Sequence, residues 1–253
     1  RGFAKLRGLL PPRVAEGVRA ALAARPPGFW ERAGEGERED SGYRDGVRHG
    51  FSIGEVEGEE TLLGAARLLA QLLPGTLPNF SAARYGREDG IAPHDDLVEE
   101  CYTPQELQRL EAAYGPGPLR AAAAAWRRGP GGAGRSASAD AALERALRAG
   151  DLEAVKRATA AGGRLAAGGR RGASGAPQRY TRIVAAAYYL SRGWKRSFGG
   201  ELVDLESKRR HVPEFNTLVV FEVPRRHEVT AVRPPEGCER WSLFGWWLLP
   251  EGP

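Results

Sequence analysis

The chain has 253 residues, 42% of them hydrophobic and 27% charged, an ordinary composition for one large or two small globular domains with a real core. No apolar run reaches the length of a spanning helix. The formal net charge is +5, and most of the excess lies in residues 97–178, with twelve basic against eight acidic side chains; this is too mild to imply nucleic-acid binding. The two cysteines, Cys101 and Cys238, lack both a disulfide framework and a metal-ligand spacing. They fit a reducing compartment and favour an intracellular setting, cytoplasm or nucleus.

Residues 3–25 place Leu6, Leu9, Leu10, Val14, Val18 and Leu22 at helical spacing. Pro11-Pro12 suits the start of the main helix and Pro26-Pro27-Gly28 its end. Residues 29–60 are polar and Gly-rich with isolated aromatics, which predicts short strands and loops around Phe29-Trp30, Tyr43 and Phe51-Ser52-Ile53. His49 lies here with no ligand spacing around it and reads as a surface or edge-strand residue. Residues 59–73 form an amphipathic helix with Leu62, Leu63, Ala66, Leu69, Ala70 and Leu73 on one face, stopped by Pro74-Gly75.

Residues 79–96 read as a strand, a Gly-containing turn and a second strand ending in His94-Asp95-Asp96. On a strand, positions i and i+2 share a face, so His94 and Asp96 would converge. With a second histidine from elsewhere they would suit a facial iron triad. Alone, the pattern is equally that of a polar strand end.

Residues 97–178 differ in kind. Thr103-Pro104-Gln105-Glu106 is a capping-box pattern that opens a helix of about ten residues. Ala121 to Arg128 is a second helical piece, and Gly129 to Ser138 a low-complexity linker. Asp140 to Ala161 reads as a helix pair resembling a single ankyrin-type repeat, and 162–178 is again flexible in composition. The stretch is expected to be an insertion between two strands of one domain.

From Arg179 the pattern is β. Ile183 to Leu190, Glu201 to Leu205, Asn216 to Val223, Arg225 to Val232 and Arg240 to Trp247 read as strands. In the last of these Arg240, Ser242 and Phe244 share one face. Short strands at this spacing behind N-terminal helices predict a mainly β fold with flanking helices, a double-sheet jelly roll whose mouth can gather distant residues. His227, at a strand start, is either a surface histidine beside two arginines or the missing imidazole. Arg240, on an apolar strand, needs a partner if buried: a structural carboxylate or the carboxylate of a ligand.

The order Tyr85, His94-Asp95-Asp96, Tyr188-Tyr189-Leu190, Gly193-Trp194, Gly199-Gly200-Glu201-Leu202, Phe221, His227-Glu228-Val229, Arg240, Trp246 resembles the prolyl-4-hydroxylase-like Fe(II)/2-oxoglutarate dioxygenases. The likeness covers 79–96 and 179–249, and more loosely the leading helices. It implies a double-stranded β-helix (cupin-like) core at 79–96 and 179–250. Residues 1–78 would support this core, and 97–178 would be inserted into it. It implies His94, Asp96 and His227 as iron ligands and Arg240 as the grip on the distal carboxylate of 2-oxoglutarate. Tyr85, Tyr189 and Ser242 become cosubstrate contacts, and Asp95 is left outside the ligand set. It further implies Fe(II), 2-oxoglutarate and O2 as cofactor and cosubstrates, with ascorbate as a candidate accessory reductant. The expected reaction is hydroxylation of a prolyl residue in a protein or peptide, releasing succinate and CO2. The alternatives are the same chemistry on a small molecule or nucleobase, and a non-catalytic jelly-roll interaction module.

Overall fold

The computed structural model describes residues 2–32, 48–52, 60–114 and 177–250, with side chains at 31–32 and 48–52 excepted. Tyr43, the side chains of His49 and Phe51, the helical stretches at 121–128 and 140–161, the linker at 129–138, and all but the last two residues of 162–178 lie outside these.

Twelve strands are described: β1 (Phe3–Arg7), β2 (Trp30–Arg32), β3 (Arg48–Ser52), β4 (Leu77–Tyr85), β5 (Ile91–His94), β6 (Glu99–Tyr102), β7 (Gln178–Tyr189), β8 (Leu202–Asp204), β9 (Arg210–His211), β10 (Thr217–Glu222), β11 (His227–Val229) and β12 (Arg240–Pro250). The helices are α1 (Pro12–Ala23), α2 (Glu60–Ala70) and α3 (Pro104–Tyr114). The major sheet runs β1-β10-β7-β12-β4-β3-β2, with β6 also on β7, and the minor sheet runs β5-β11-β8-β9. All pairings are antiparallel. The two sheets form the double-stranded β-helix expected from the strand pattern.

The layers follow from the side-chain periods. α1 buries Ala15, Val18 and Leu22, and α2 buries Leu62, Leu63, Ala66, Leu69 and Ala70, the stripe that a helical period of 3.6 presents to one side. These pack with Phe80, Tyr188, Leu218, Leu243 and Trp247 from one face of the major sheet. The opposite face turns Tyr85, Tyr189, Val219 and Phe221 toward Leu202, Val229 and Val232 of the minor-sheet side, forming a second core between the sheets. Alternation along one strand thus feeds two cores, as Tyr188 and Tyr189 show. α3 begins with the predicted capping box: Glu106 N–H donates to Thr103 Oγ1 at 3.2 Å, and Thr103 N–H to Glu106 Oε2 at 2.7 Å.

Residues 3–7 depart from the helical reading. They form β1 at the edge of the major sheet, where Phe3 pairs with Phe221 and Arg7 with Thr217. Gly8, with φ +63, and Pro11 separate this segment from α1. What remains is too short to nucleate a helix, so its backbone pairs with β10 instead. The two-residue β9 gave no sequence signal. β6 lies within 97–178 and pairs Glu99–Tyr102 with Tyr102↔Gln178 through Glu99↔Thr181 of β7, so this part of the stretch is built into the sheet.

Asn216 ties β1, α1 and the sheet together. Its Oδ1 accepts from Leu10 N–H at 3.0 Å and from the Tyr188 hydroxyl at 2.7 Å, and its Nδ2 donates to Leu10 O at 2.7 Å. The residue is buried with φ +56, a conformation asparagine tolerates better than most side chains. Asn216→Ala would strand the Leu10 amide and carbonyl in the interior. It is expected to lower unfolding free energy by about 2–4 kcal/mol, read by urea denaturation.

Candidate metal centre and cosubstrate pocket

Three ligand-type side chains meet at the mouth of the barrel. His94 ends β5, His227 begins β11, and Asp96 follows β5 by two residues. One ligand atom from each lies within 4.8 Å of the other two. His94 Nε2 stands 3.3 Å from Asp96 Oδ1, and His227 Nε2 stands 3.4 Å from Asp96 Oδ2. The imidazoles are cross-strand partners, His227↔His94, with ring centroids 4.2 Å apart. Asp96 does not reach this point by strand alternation. β5 has ended, and Asp96 has φ +62; a left-handed turn carries its carboxylate back toward His94. Asp95 faces elsewhere, its Oδ1 accepting from Leu97 N–H at 3.1 Å.

The tautomers follow from the backbone. His94 Nδ1 lies 2.8 Å from Ala92 O and His227 Nδ1 lies 2.7 Å from Arg225 O. A carbonyl only accepts, so each Nδ1 donates and each Nε2 is left to bind a cation. Burial disfavours charge on His94, but Asp96 outweighs it and lifts the imidazole above its ordinary range. Burial also works against the Asp96 carboxylate, yet His94 and His227 hold it low. His227 is depressed by burial. Two imidazoles with free Nε2 atoms around an ionised carboxylate form a donor set that fits Fe(II).

Across the same cavity lies Arg240, 2% exposed. Among the described residues its Nε and Nη1 have no hydrogen-bond partner, and neither does the Tyr189 hydroxyl. Among the described residues no carboxylate pairs with this guanidinium. Its Cζ sits 4.2 Å from the Tyr85 ring centroid and 5.0 Å from that of Tyr189. Burial raises the pKa of both phenols against the opposing effect of Arg240, so both remain protonated. Ser242 is buried on the same wall. Unmet, buried donors of one sign define an anion site, and a dicarboxylate spanning from the His94–Asp96–His227 cluster to Arg240 would satisfy both ends.

Several contributors were given no role in the site by the sequence reading, although Trp246 stands in the motif series. Ala185 and Ala187 line the cavity, four and two positions before Tyr189 on the same strand face, a spacing that could have placed them. Trp246 continues the Arg240–Ser242–Phe244 series into the mouth. Arg182 lies over the Trp246 ring at 3.5 Å and is ion-paired with Glu100, which also accepts from Asn79 and Tyr102. Behind His227, Arg225 is held by Asp204 at 2.8 Å and Glu206 at 3.2 Å. Nothing in the local sequence marks that support, because its partners sit at and just beyond the end of β8, about twenty residues earlier in the chain.

Residues 170–248 match the model of the 2OG-Fe(II) oxygenase superfamily. Over these residues the chain is similar to the 2OG-Fe(II) oxygenases. Fe(II), 2-oxoglutarate and O2 are the reagents of that superfamily, and the two donor sets of this cavity are of the kind they need. A prolyl-4-hydroxylase from Pseudomonas putida is 19% identical, covering 97% of this chain and 91% of its own, with a TM-score of 0.50. A prolyl hydroxylase from Trichoplax adhaerens, solved in complex with a hypoxia inducible factor oxygen degradation domain peptide fragment, is 14% identical. It covers 97% of this chain and 83% of its own, with a TM-score of 0.54. These likenesses establish the fold. No curated protein matches the chain. Among the described residues, no helix is long and apolar enough to cross a membrane.

The support behind His227 makes stability pH-dependent. Asp204 is buried, which raises its pKa, but Arg225 and Ser207 lower it further, to about 2. Its folded pKa is below the unfolded value, so its contribution is complete above about pH 4 and is lost as pH falls toward about 2. Asp204→Asn is expected to cost about 2 kcal/mol at neutral pH. In urea titrations at several pH values, the gap between variant and parent should close on acidification.

Proposed function

We propose that this oxygenase hydroxylates an unactivated C–H bond of a prolyl residue in a protein or peptide, consuming O2 and 2-oxoglutarate and releasing succinate and CO2. The observation that carries the reading is one cavity lined both by a cluster of half-buried His94 and Asp96 with buried His227 and by a buried guanidinium with unmet donors. In this reading His94 Nε2, Asp96 and His227 Nε2 hold Fe(II) on one face. Arg240 binds the distal carboxylate of 2-oxoglutarate, and the Tyr85, Tyr189 and Ser242 hydroxyls orient it. Fe(II) with its cosubstrates supplies the oxidising power for the C–H bond.

The chain's own share is positional. Strands β5, β11 and β12 hold ligands and anchor on a rigid frame, so little reorganisation accompanies reaction. Phe221, Leu202, Val229 and Ile91 form apolar walls that exclude water from the metal side. Ala187, Phe244 and Trp246 offer the substrate a small apolar and aromatic surface, which suits a pyrrolidine ring. The peptide bound by the Trichoplax adhaerens protein supports a peptidyl substrate here.

The test is succinate release from 2-oxoglutarate with Fe(II) and O2 over a proline-containing peptide library, with products read by mass spectrometry for an added oxygen. Asp96→Ala is expected to reduce turnover by more than about 100-fold and Asp95→Ala by less than about threefold; the reverse ranking would reassign the carboxylate ligand. Arg240→Ala is expected to raise the KM for 2-oxoglutarate by about 10- to 100-fold through loss of a charge-assisted bidentate contact. Addition of oxygen only to small molecules or nucleobases would move the substrate class, and absence of both turnover and bound iron would leave an interaction module.

A further inference from the structure

The position of Arg240 is set on two sides by the rings of Tyr85 and Tyr189. A third side is the backbone of Gly200. A Cβ placed on Gly200 would stand 2.9 Å from Arg240 Cδ, 3.4 Å from Arg240 Nε and 3.0 Å from Val232 Cγ2. The space a side chain would take at residue 200 is therefore filled by the stem of Arg240. Gly200 also has φ +67, where an L residue is strained.

The backbone at Gly200 has little freedom to withdraw. Gly200 N–H donates to Thr230 O at 3.2 Å, Glu201 N–H to Thr230 Oγ1 at 3.0 Å, and Thr230 N–H to Glu201 O at 3.0 Å. Gly199 bridges to Val232, which is fully buried. The movable member of the contact is the arginine stem. A side chain at residue 200 would push Cδ and Nε aside and rotate the guanidinium fork away from the cavity, with the barrel otherwise intact.

We infer that Gly200 is a positioning residue for cosubstrate binding: its missing side chain is the channel through which Arg240 reaches the distal carboxylate of 2-oxoglutarate. This rests on the proposed role of Arg240 as anchor. A misdirected fork loses bidentate geometry and leaves the metal ligands untouched. The effect should thus fall on cosubstrate affinity, with metal binding and saturated turnover preserved.

The experiment measures 2-oxoglutarate binding to the Mn(II)-loaded full chain by calorimetry, beside Mn(II) affinity, KM and kcat. Gly200→Ala is expected to weaken 2-oxoglutarate binding and raise its KM by about 10- to 100-fold, with Mn(II) affinity unchanged and kcat at saturation within about threefold. Gly193→Ala controls for backbone strain, because Gly193 has φ +62 and nothing near its would-be Cβ; it should leave 2-oxoglutarate binding unaltered. In an Arg240→Ala background, where the displaced atoms are gone, Gly200→Ala should add no further loss. If Gly200→Ala does not fold, Gly200→Asn places a Cβ at the same point in a residue that tolerates the left-handed region, and the same loss is expected. Parent-like binding by either folded variant overturns the inference, as does an equal loss with and without the Arg240 side chain. If Arg240→Ala itself binds 2-oxoglutarate like the parent, the anchor assignment falls and this inference with it. If Arg240→Ala weakens binding and Gly200→Ala does not, only the role of Gly200 falls.

Discussion

The candidate metal centre hangs on a single rung of the minor sheet. His227 stands opposite His94 on one side and opposite Asp204 on the other. Antiparallel partners bring their Cβ atoms to about 5 Å, which lets two imidazoles aim their Nε2 atoms at one carboxylate. A slip of one residue along β11 would turn His227 to the opposite face. Val229, on the same face two residues on, is buried against the inter-sheet core and opposes such a slip. The Arg225 carbonyl that sets the His227 tautomer is itself fixed by Asp204 through the Arg225 side chain. Sheet register, tautomer and ion pair are one connected device.

The other end of the cavity is built on the opposite electrostatic principle. Asp96 has two cationic or potentially cationic neighbours, whereas Arg240 is left with donors unmet. A buried, unpaired charge is costly, and the fold tolerates it because β12 lies between β4 and β7. Arg240 pairs with Tyr85, and Ser242 with Tyr189, so the two phenols are delivered to the guanidinium by register. Their ring faces partly offset the lost solvation. The remaining deficit is what a bound carboxylate would relieve, and a frame of long central strands keeps the arginine from relaxing onto some other partner.

Legibility differed with the range of the interaction. α1, α2 and the capping box of α3 could be read because their determinants lie within a few residues: the apolar stripe, the prolines, and Thr103 with Glu106. β1 could not, because its strand character comes from β10, more than two hundred residues away in the chain, and not from its own side chains. His94 and Asp96 do share a point, but through a left-handed turn at Asp96 and not by the strand alternation inferred from their spacing. Arg182 and Glu100 join Trp246 from two other strands, and no spacing along the chain could have linked the three.

By itself the sequence determined the chemical inventory and its order: two spaced histidines, a carboxylate beside the first, an arginine on an alternating strand, and tyrosines at strand ends. These are properties of residue type and local period, and they also specified the helices and most strands. Tertiary structure alone decided which nitrogen of each imidazole is free, that Arg240 is buried without an acidic partner among the described residues, and that Gly200 leaves its side-chain space to an arginine stem. Those outcomes depend on distances between backbones brought together by sheet pairing, and a linear pattern carries no information about such distances.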